Sequence, residues 1–442
     1  MENETLFPLP PAPSKPSKAA ALGGTPRVVS PNRGQIELRP MDLEALLPAE
    51  HPARAVWSFV ESLDLSPIYG KIRSVAGGAG RPATDPRVFM ALWIFAITEG
   101  VGSARALEKL TREHDAYRWI CGGVSVNYHT LADFRVRHGE CLDEVLTRSV
   151  ASLMSQDLVK LERVSQDGTR VRASAGASSF RREPSLRVCL KQAREQVAEL
   201  ARELHEDPQA TTRRQSAARQ RSAEDRRRRV EAALAQMPEV ELKKKPAERE
   251  QARVSTTDPQ ARVMKMGDGG FRPAYNGQFA VDTASQIIVG VDVSNAGSDQ
   301  GHLVPMLDQL QKRYGRLPEE ALVDGGFANL KAIEKASQLG VDIYTPVMKP
   351  KDAQRDPYKP LPGDSPAIAA WRCRMGTAAG KEIYKERAAT VECVNALARN
   401  RGLHQFLVRG QEKVRAVLLW FAIAHNVMRS LSLRAALDAA TA

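Results

Sequence analysis

Three carboxylates stand where they could act together. Asp167 sits beside Gly168 in the alternating segment Val164–Ala173. Asp324 ends a short apolar run and is followed by Gly325 and Gly326, where backbone can approach a ligand. Glu392 lies in the helical stretch YKERAATVECVNALAR, after Tyr384 and Arg387 and before Arg399. Three acids on one spot raise one another's pKa unless a cation lies between them. Hard divalent ions with oxygen ligands, Mg²⁺ or Mn²⁺, meet that need. A pair of such ions can activate a water or a sugar hydroxyl and stabilise the leaving oxygen of a phosphodiester. Plainer readings stay open. Asp167 and Asp324 could be turn residues, Arg387 and Arg399 helix-surface cations, and Glu382 and Glu386 lie close to Glu392. Asp282, Asp292 and Asp299 read as strand-end or capping residues, and His302 as a surface or packed histidine.

The charge balance points the same way. Lys and Arg number 64 against 52 Asp and Glu, a net charge of +12. A chain this basic prefers a polyanion, most often nucleic acid. The five cysteines are scattered without a Cys-x-x-Cys pair, against a disulfide framework or a zinc ribbon, and a reducing cytosol is expected. The apolar run Ala416–Ala424, nine residues long, reads as a buried helix and not a membrane span. The first 35 residues carry seven prolines and no apolar h-region, so they predict a disordered tail and no secretory signal.

The elements that must position the acids follow from periodicity. Residues 36–158 read as helical. Asp85-Pro86 opens one helix, Ser103 caps the next, and a third runs from Thr130 to Met154. Short helices, tight turns and a basic last helix suit a helix-turn-helix-like DNA-binding domain. Its candidate reading face carries His129, Thr130, Arg135, Arg137 and His138. Residues 159–432 change period. Strand Val164–Ala173 is followed by segment 181–260, which holds 19 basic and 14 acidic residues and no aromatic one. Leu190, Val197 and Leu204 repeat at seven there, predicting an inserted helical hairpin or coiled coil. A hairpin at Ala284-Ser285, helix 299–314, strand 320–324, helix 329–339, strand 341–346 and helices 381–400 and 412–437 come next. Residues 433–442 read as a tail.

That order is the order of an RNase H-like domain: a mixed five-stranded sheet with flanking helices, three antiparallel strands first and parallel strands afterwards. The middle of its first strand, the end of its fourth and the face of the late helix each hold one of the three acids.

The sequence resembles the DDE transposases of bacterial insertion sequences, in the IS-five-like branch with a Tyr-Arg-Glu-Lys signature. The likeness rests on SQDGTRVRASA around Asp167, YNGQFAVDT, LVDGGFANL around Asp324, HTLADFR, and the signature residues Tyr384, Arg387, Glu392 and Arg399. It departs in carrying Arg399 where the signature has Lys, and in placing four residues between Arg387 and Glu392 where three are commoner. Only Cys373 stands where some relatives carry a cysteine cluster, so no zinc is expected.

The resemblance implies Asp167, Asp324 and Glu392 as catalytic metal ligands for two Mg²⁺ or Mn²⁺ ions. It implies Tyr384, Arg387 and Arg399 as contacts to the DNA backbone. The function implied is binding of terminal inverted repeats in double-stranded DNA, strand cleavage and transfer of the 3′-OH to target DNA, by a homodimer, in the cytoplasm at the nucleoid and without a membrane. Another RNase H-like nuclease, such as a resolvase, and an inactive DNA-binding relative are the rival readings.

Overall fold

The computed structural model describes residue 34 and residues 42–75, 77, 82–206, 212–327, 329–350 and 354–441. The expected Pro-rich tail lies outside the described residues, save residue 34. Among the described residues from 43 to 155 the regular elements are all helical. The main ones are α1 (Pro52–Glu61), α2 (Pro86–Thr98), α3 (Ala104–Glu113), α4 (Asp115–Cys121), α5 (Tyr128–Arg137) and α6 (Gly139–Ser155). Asp85 caps α2 through its carboxylate and Pro86 fills the first helical position, where no N–H is needed. The single helix expected over Thr130–Met154 is broken at His138. There the backbone leaves helical geometry and Gly139, a poor helix former, begins α6.

The sheet begins with β1 (Arg163–Arg172). Next comes the insertion: helices α7 (Glu183–Glu206) and α8 (Arg213–Leu242), paired antiparallel, with Arg194 meeting Glu231 at 3.2 Å and Arg219 meeting Glu203 at 3.5 Å. A two-stranded ribbon, Phe180–Arg181 against Val254–Ser255, closes its root. Strands β2 (Arg262–Lys265), β3 (Phe271–Asp282) and β4 (Ile288–Ser294) follow, then α9 (Leu303–Tyr314), β5 (Glu320–Val323), α10 (Leu330–Gln338) and β6 (Asp342–Tyr344). The sheet order is β2-β3-β1-β5-β6, with β4 also paired to β3. β1, β3 and β4 run antiparallel, whereas β5 and β6 run parallel to β1. The five expected strands are joined by a sixth, β2. It forms because β3 begins as early as Phe271, well before the hairpin at Ala284-Ser285, and its early end pairs with Arg262–Lys265.

The chain ends in α11 (Pro366–Gly376), α12 (Ala378–Arg387), a π turn (Ala388–Glu392), α13 (Cys393–Asn400) and α14 (Gln411–Thr441). The expected tail from residue 433 is the last part of α14, whose LRAALDAA sequence holds strong helix formers and no breaker. α14 is the hub of the core: Leu418, Leu419 and Trp420 are fully buried between α2, α6 and the β3–β4 face. A second core lies under β5, β6, α10 and α11. Among the described residues one helix, Gln411–Ala439, is long and apolar enough to cross a membrane, and 67% of its apolar 18-residue stretch is buried inside the protein.

His425 on α14 makes this core sensitive to acid. Its Nε2 lies 2.9 Å from the Gln286 carbonyl, and burial pushes its pKa down to about 4. A folded value below the unfolded one means that the unfolded chain takes up the proton first as pH falls. Stability is therefore full above about 6.5 and lost between there and about 4, by about 3 kcal/mol. Urea unfolding across that window should show a steeper loss for the wild type than for His425→Gln. Equal slopes would remove His425 from the account.

Candidate functional site

β1 and β5 are parallel neighbours, with Gln166 opposite Val323. The next residue on each strand is an acid, Asp167 and Asp324, so the sheet register sets the two side by side. Asp324 leaves β5 into a tight turn. Its Oδ1 accepts the Gly326 N–H at 2.7 Å, and its carbonyl accepts the Thr345 hydroxyl at 3.0 Å.

The third acid arrives on the helix packed across β1. Arg387 Nη2 donates to Asp167 Oδ1 at 2.9 Å, and Arg387 Nη1 to Glu392 Oε1 at 2.6 Å. Five residues apart on an α-helix, Arg387 and Glu392 would point about 140° apart. The π turn Ala388–Glu392, with its i→i+5 bonding, brings them together. The extra residue in the signature spacing is absorbed there. Glu386 points elsewhere, to Arg163 at 2.5 Å, and Glu382 pairs with Lys385 at 2.7 Å.

Burial raises the Asp167 carboxyl above its usual range. Arg387 opposes the rise, whereas the charges of Asp324 and Asp299 add to it. Burial also raises the Tyr384 hydroxyl, and the charge of Arg387 opposes the rise. Arg399, seven residues beyond Glu392, lies 3.5 Å from Thr169 Oγ1 and is otherwise open to solvent. Arg387 thus stands between acids that a cation was expected to join. Among the described residues, no three His, Cys, Asp or Glu side chains gather closely enough to hold a metal ion. The donor set nevertheless suits a hard ion. It is all oxygen, and Asn395 beside Asp167 adds a buried Oδ1 with no hydrogen-bond partner.

Two groups escaped the sequence reading. Asn395 donates to Asp167 Oδ2 at 3.0 Å. Asp299 caps no helix, since α9 starts only at Leu303. Its Oδ1 accepts the side-chain amides of Asn276 and Gln278, both at 2.7 Å, on the side of β1 facing away from Arg387. The clue was in YNGQFAVDT, where two amides alternate along an otherwise apolar strand. Gly168 is needed for this packing, because a Cβ there would overlap Asp299 Oδ1. Gly168→Ala should lower stability by about 1–3 kcal/mol. A urea midpoint equal to wild type would show that the Asp299 cluster yields freely.

The expected reading face on α5 is only partly exposed. His129, Thr130 and Arg137 are exposed. Thr130 is tied to the Asn127 cap, and Arg137 pairs with Asp133 at 2.7 Å. Arg135 is a correction. It is 8% exposed, stacks on Trp93 at 4.7 Å and donates to the Gly102 carbonyl at 2.6 Å, so it faces inward. His138 is half-buried at the α5–α6 break.

Residues 41–137 match the family model described as a transposase domain (DUF772), and residues 245–427 match the model described as a transposase DDE domain. The two matches together support a DDE transposase. Asp324, Tyr384, Arg387, Glu392 and Arg399 fall in the second match, and the α5 residues in the first. Asp167 lies between the two. No curated protein and no solved structure matches the chain.

Proposed function

We propose that this chain, with its two transposase-domain matches, is the transposase of a bacterial insertion sequence in the IS-five-like branch. It binds terminal inverted repeats, cuts DNA at the element end and joins the freed 3′-OH to target DNA. The observation that carries this reading is the meeting of Asp167, Arg387 and Glu392 across β1 and the π turn, beside Asp324 on the neighbouring strand.

Asp167, Asp324 and Glu392 would hold two Mg²⁺ or Mn²⁺ ions. Such ions lower the pKa of an attacking water or hydroxyl and neutralise the leaving oxygen. Around them the chain's own residues prepare the site. Asn395 and Arg387 fix the orientation of the Asp167 carboxylate. Arg399 projects beside Thr169, where a forked donor can grip a neighbouring phosphate. Tyr384 and the exposed His129, Thr130 and Arg137 contact the DNA. Pairing two element ends calls for two copies of the chain.

The test is cleavage of labelled terminal-repeat DNA with Mg²⁺ or Mn²⁺, followed by joining of the product to a plasmid. Cleavage without joining under all conditions favours the nuclease reading. Cleavage that persists with Asp167, Asp324 and Glu392 all changed to Asn or Gln sinks the assignment.

A further inference from the structure

A second cavity, with an apolar wall and a few polar groups, lies between the helical segment and the chain that follows α13. A cavity of about 310 Å³ opens at the α2–α3 corner, lined by Gly102, Ser103, Arg135, Arg401, His404 and Phe421. Two arginines meet there with no carboxylate paired to either among the described residues. Arg135 is more than nine-tenths buried, and its Nε has no hydrogen-bond partner. Arg401 Nη1 is also buried and unpartnered, and the nearest acidic influence on it is the charge of Glu99. Burial lowers the pKa of both groups, that of Arg135 to about 10. A buried cation without a counter-charge is expensive to hold.

The third contributor is Ser103, which caps the ten-residue helix α3 and whose Oγ accepts the Ala106 N–H. The first-turn N–H groups of a helix lack intrahelical partners and carry the positive end of its dipole. Two arginine side chains, each with a buried N–H lacking a partner, and the Ser103 hydroxyl on one cavity suit a phosphate-sized oxyanion. Arg401 is held in place by a tight backbone contact. A Cβ on Gly402 would lie 3.0 Å from the Gly100 carbonyl oxygen, and both glycines have positive φ.

We propose that the cavity between Ser103, Arg135 and Arg401 is an oxyanion site that takes a phosphate group, supplied by the backbone of bound DNA. The site itself stands on this geometry. The DNA source rests on the transposase reading, and it links the helical segment to the end of α13, whose Arg399 lies beside Thr169, two residues along β1 from Asp167. The phosphate joins two regions that are far apart in sequence, so DNA binding should tighten their packing.

Inorganic phosphate and a labelled mixed-sequence duplex are the two probes. Phosphate should raise the melting temperature of the wild type above a chloride control of equal ionic strength, and Arg401→Gln should lose that rise. Duplex binding by Arg401→Gln should weaken on every sequence, with the salt slope reduced by about one. Arg401→Lys keeps the charge and should keep the slope. No phosphate response in the wild type, or equal loss of duplex binding in Arg401→Lys and Arg401→Gln, overturns the site. A phosphate response with an unchanged duplex slope overturns the DNA source and assigns the cavity to free phosphate or a small phosphorylated ligand. Neither readout involves cleavage, so failure of the transposase reading would show separately as intact binding with no strand cut.

Discussion

Asp324→Asn is expected to abolish strand cleavage while leaving duplex binding nearly unchanged. Asn keeps the shape of the side chain and can still accept the Gly326 N–H, so the turn after β5 survives. What it loses is one negative charge of the three that would hold the divalent ions. Loss of one of three acid ligands costs several kcal/mol of transition-state stabilisation, about a thousandfold or more in rate. Binding is carried by Lys and Arg contacts to phosphate, and removing an acid from a basic chain leaves those intact. The check is a cleavage assay on labelled end DNA beside a gel shift with the same preparation. Near wild-type cleavage would refute both the residue and the metal. Loss of binding together with cleavage would move the test to Asp167→Asn.

Arg387→Met should be the most destabilising change at the site. Arg387 and Asp167 are 11% and 16% exposed, so the pair lies largely out of water. Removing one partner of a buried pair leaves the other charge uncompensated and costs about 3–5 kcal/mol. Protonation of Asp167, already favoured by its burial, limits the loss. The Glu392 arm of the bridge adds little, because that carboxylate is about half exposed. Urea unfolding measures the effect, and Arg387→Lys should recover part of it. If Asp167 and Glu392 take up divalent ions, Mn²⁺ should raise the melting temperature of Arg387→Met more than that of wild type, because the ion supplies the missing positive charge. Wild-type stability in Arg387→Met would show that the bridge carries no load.

Much of this arrangement could be read from spacing alone. The alternation Val164–Ala173 and the Gly-Gly stop after Asp324 mark two strand positions that the sheet sets in register. Capping residues Asp85 and Ser103 mark two helix starts. Ser365-Pro366 carries the same kind of start signal, yet α11 lies between the expected strand 341–346 and helix 381–400, where no element was expected. Arg135 and Asp299 were beyond reach for a different reason. Local pattern gives a charged residue on a helix or in a loop an exposed default, and only tertiary contacts place Arg135 on Trp93 and Asp299 over Gly168. Asn395 shows no periodic signal at all, because its role depends on which strand the helix crosses.

The π turn also bears on how relatives of this chain should be compared. An acid placed by counting residues from Arg387 is located by arithmetic, whereas Glu392 is located by a change in hydrogen-bond pitch. A gapless spacing rule written for the shorter interval would land on Val391, which is fully buried in the core. Deleting one residue between Ala388 and Val391 would let the turn relax to α-helix, where an acid four residues after Arg387 lies about 40° from it around the axis, so the two stay on one face. One residue more or less in those few positions is therefore compensated by the winding of the helix, and an alignment of this stretch is read correctly only with that winding taken into account.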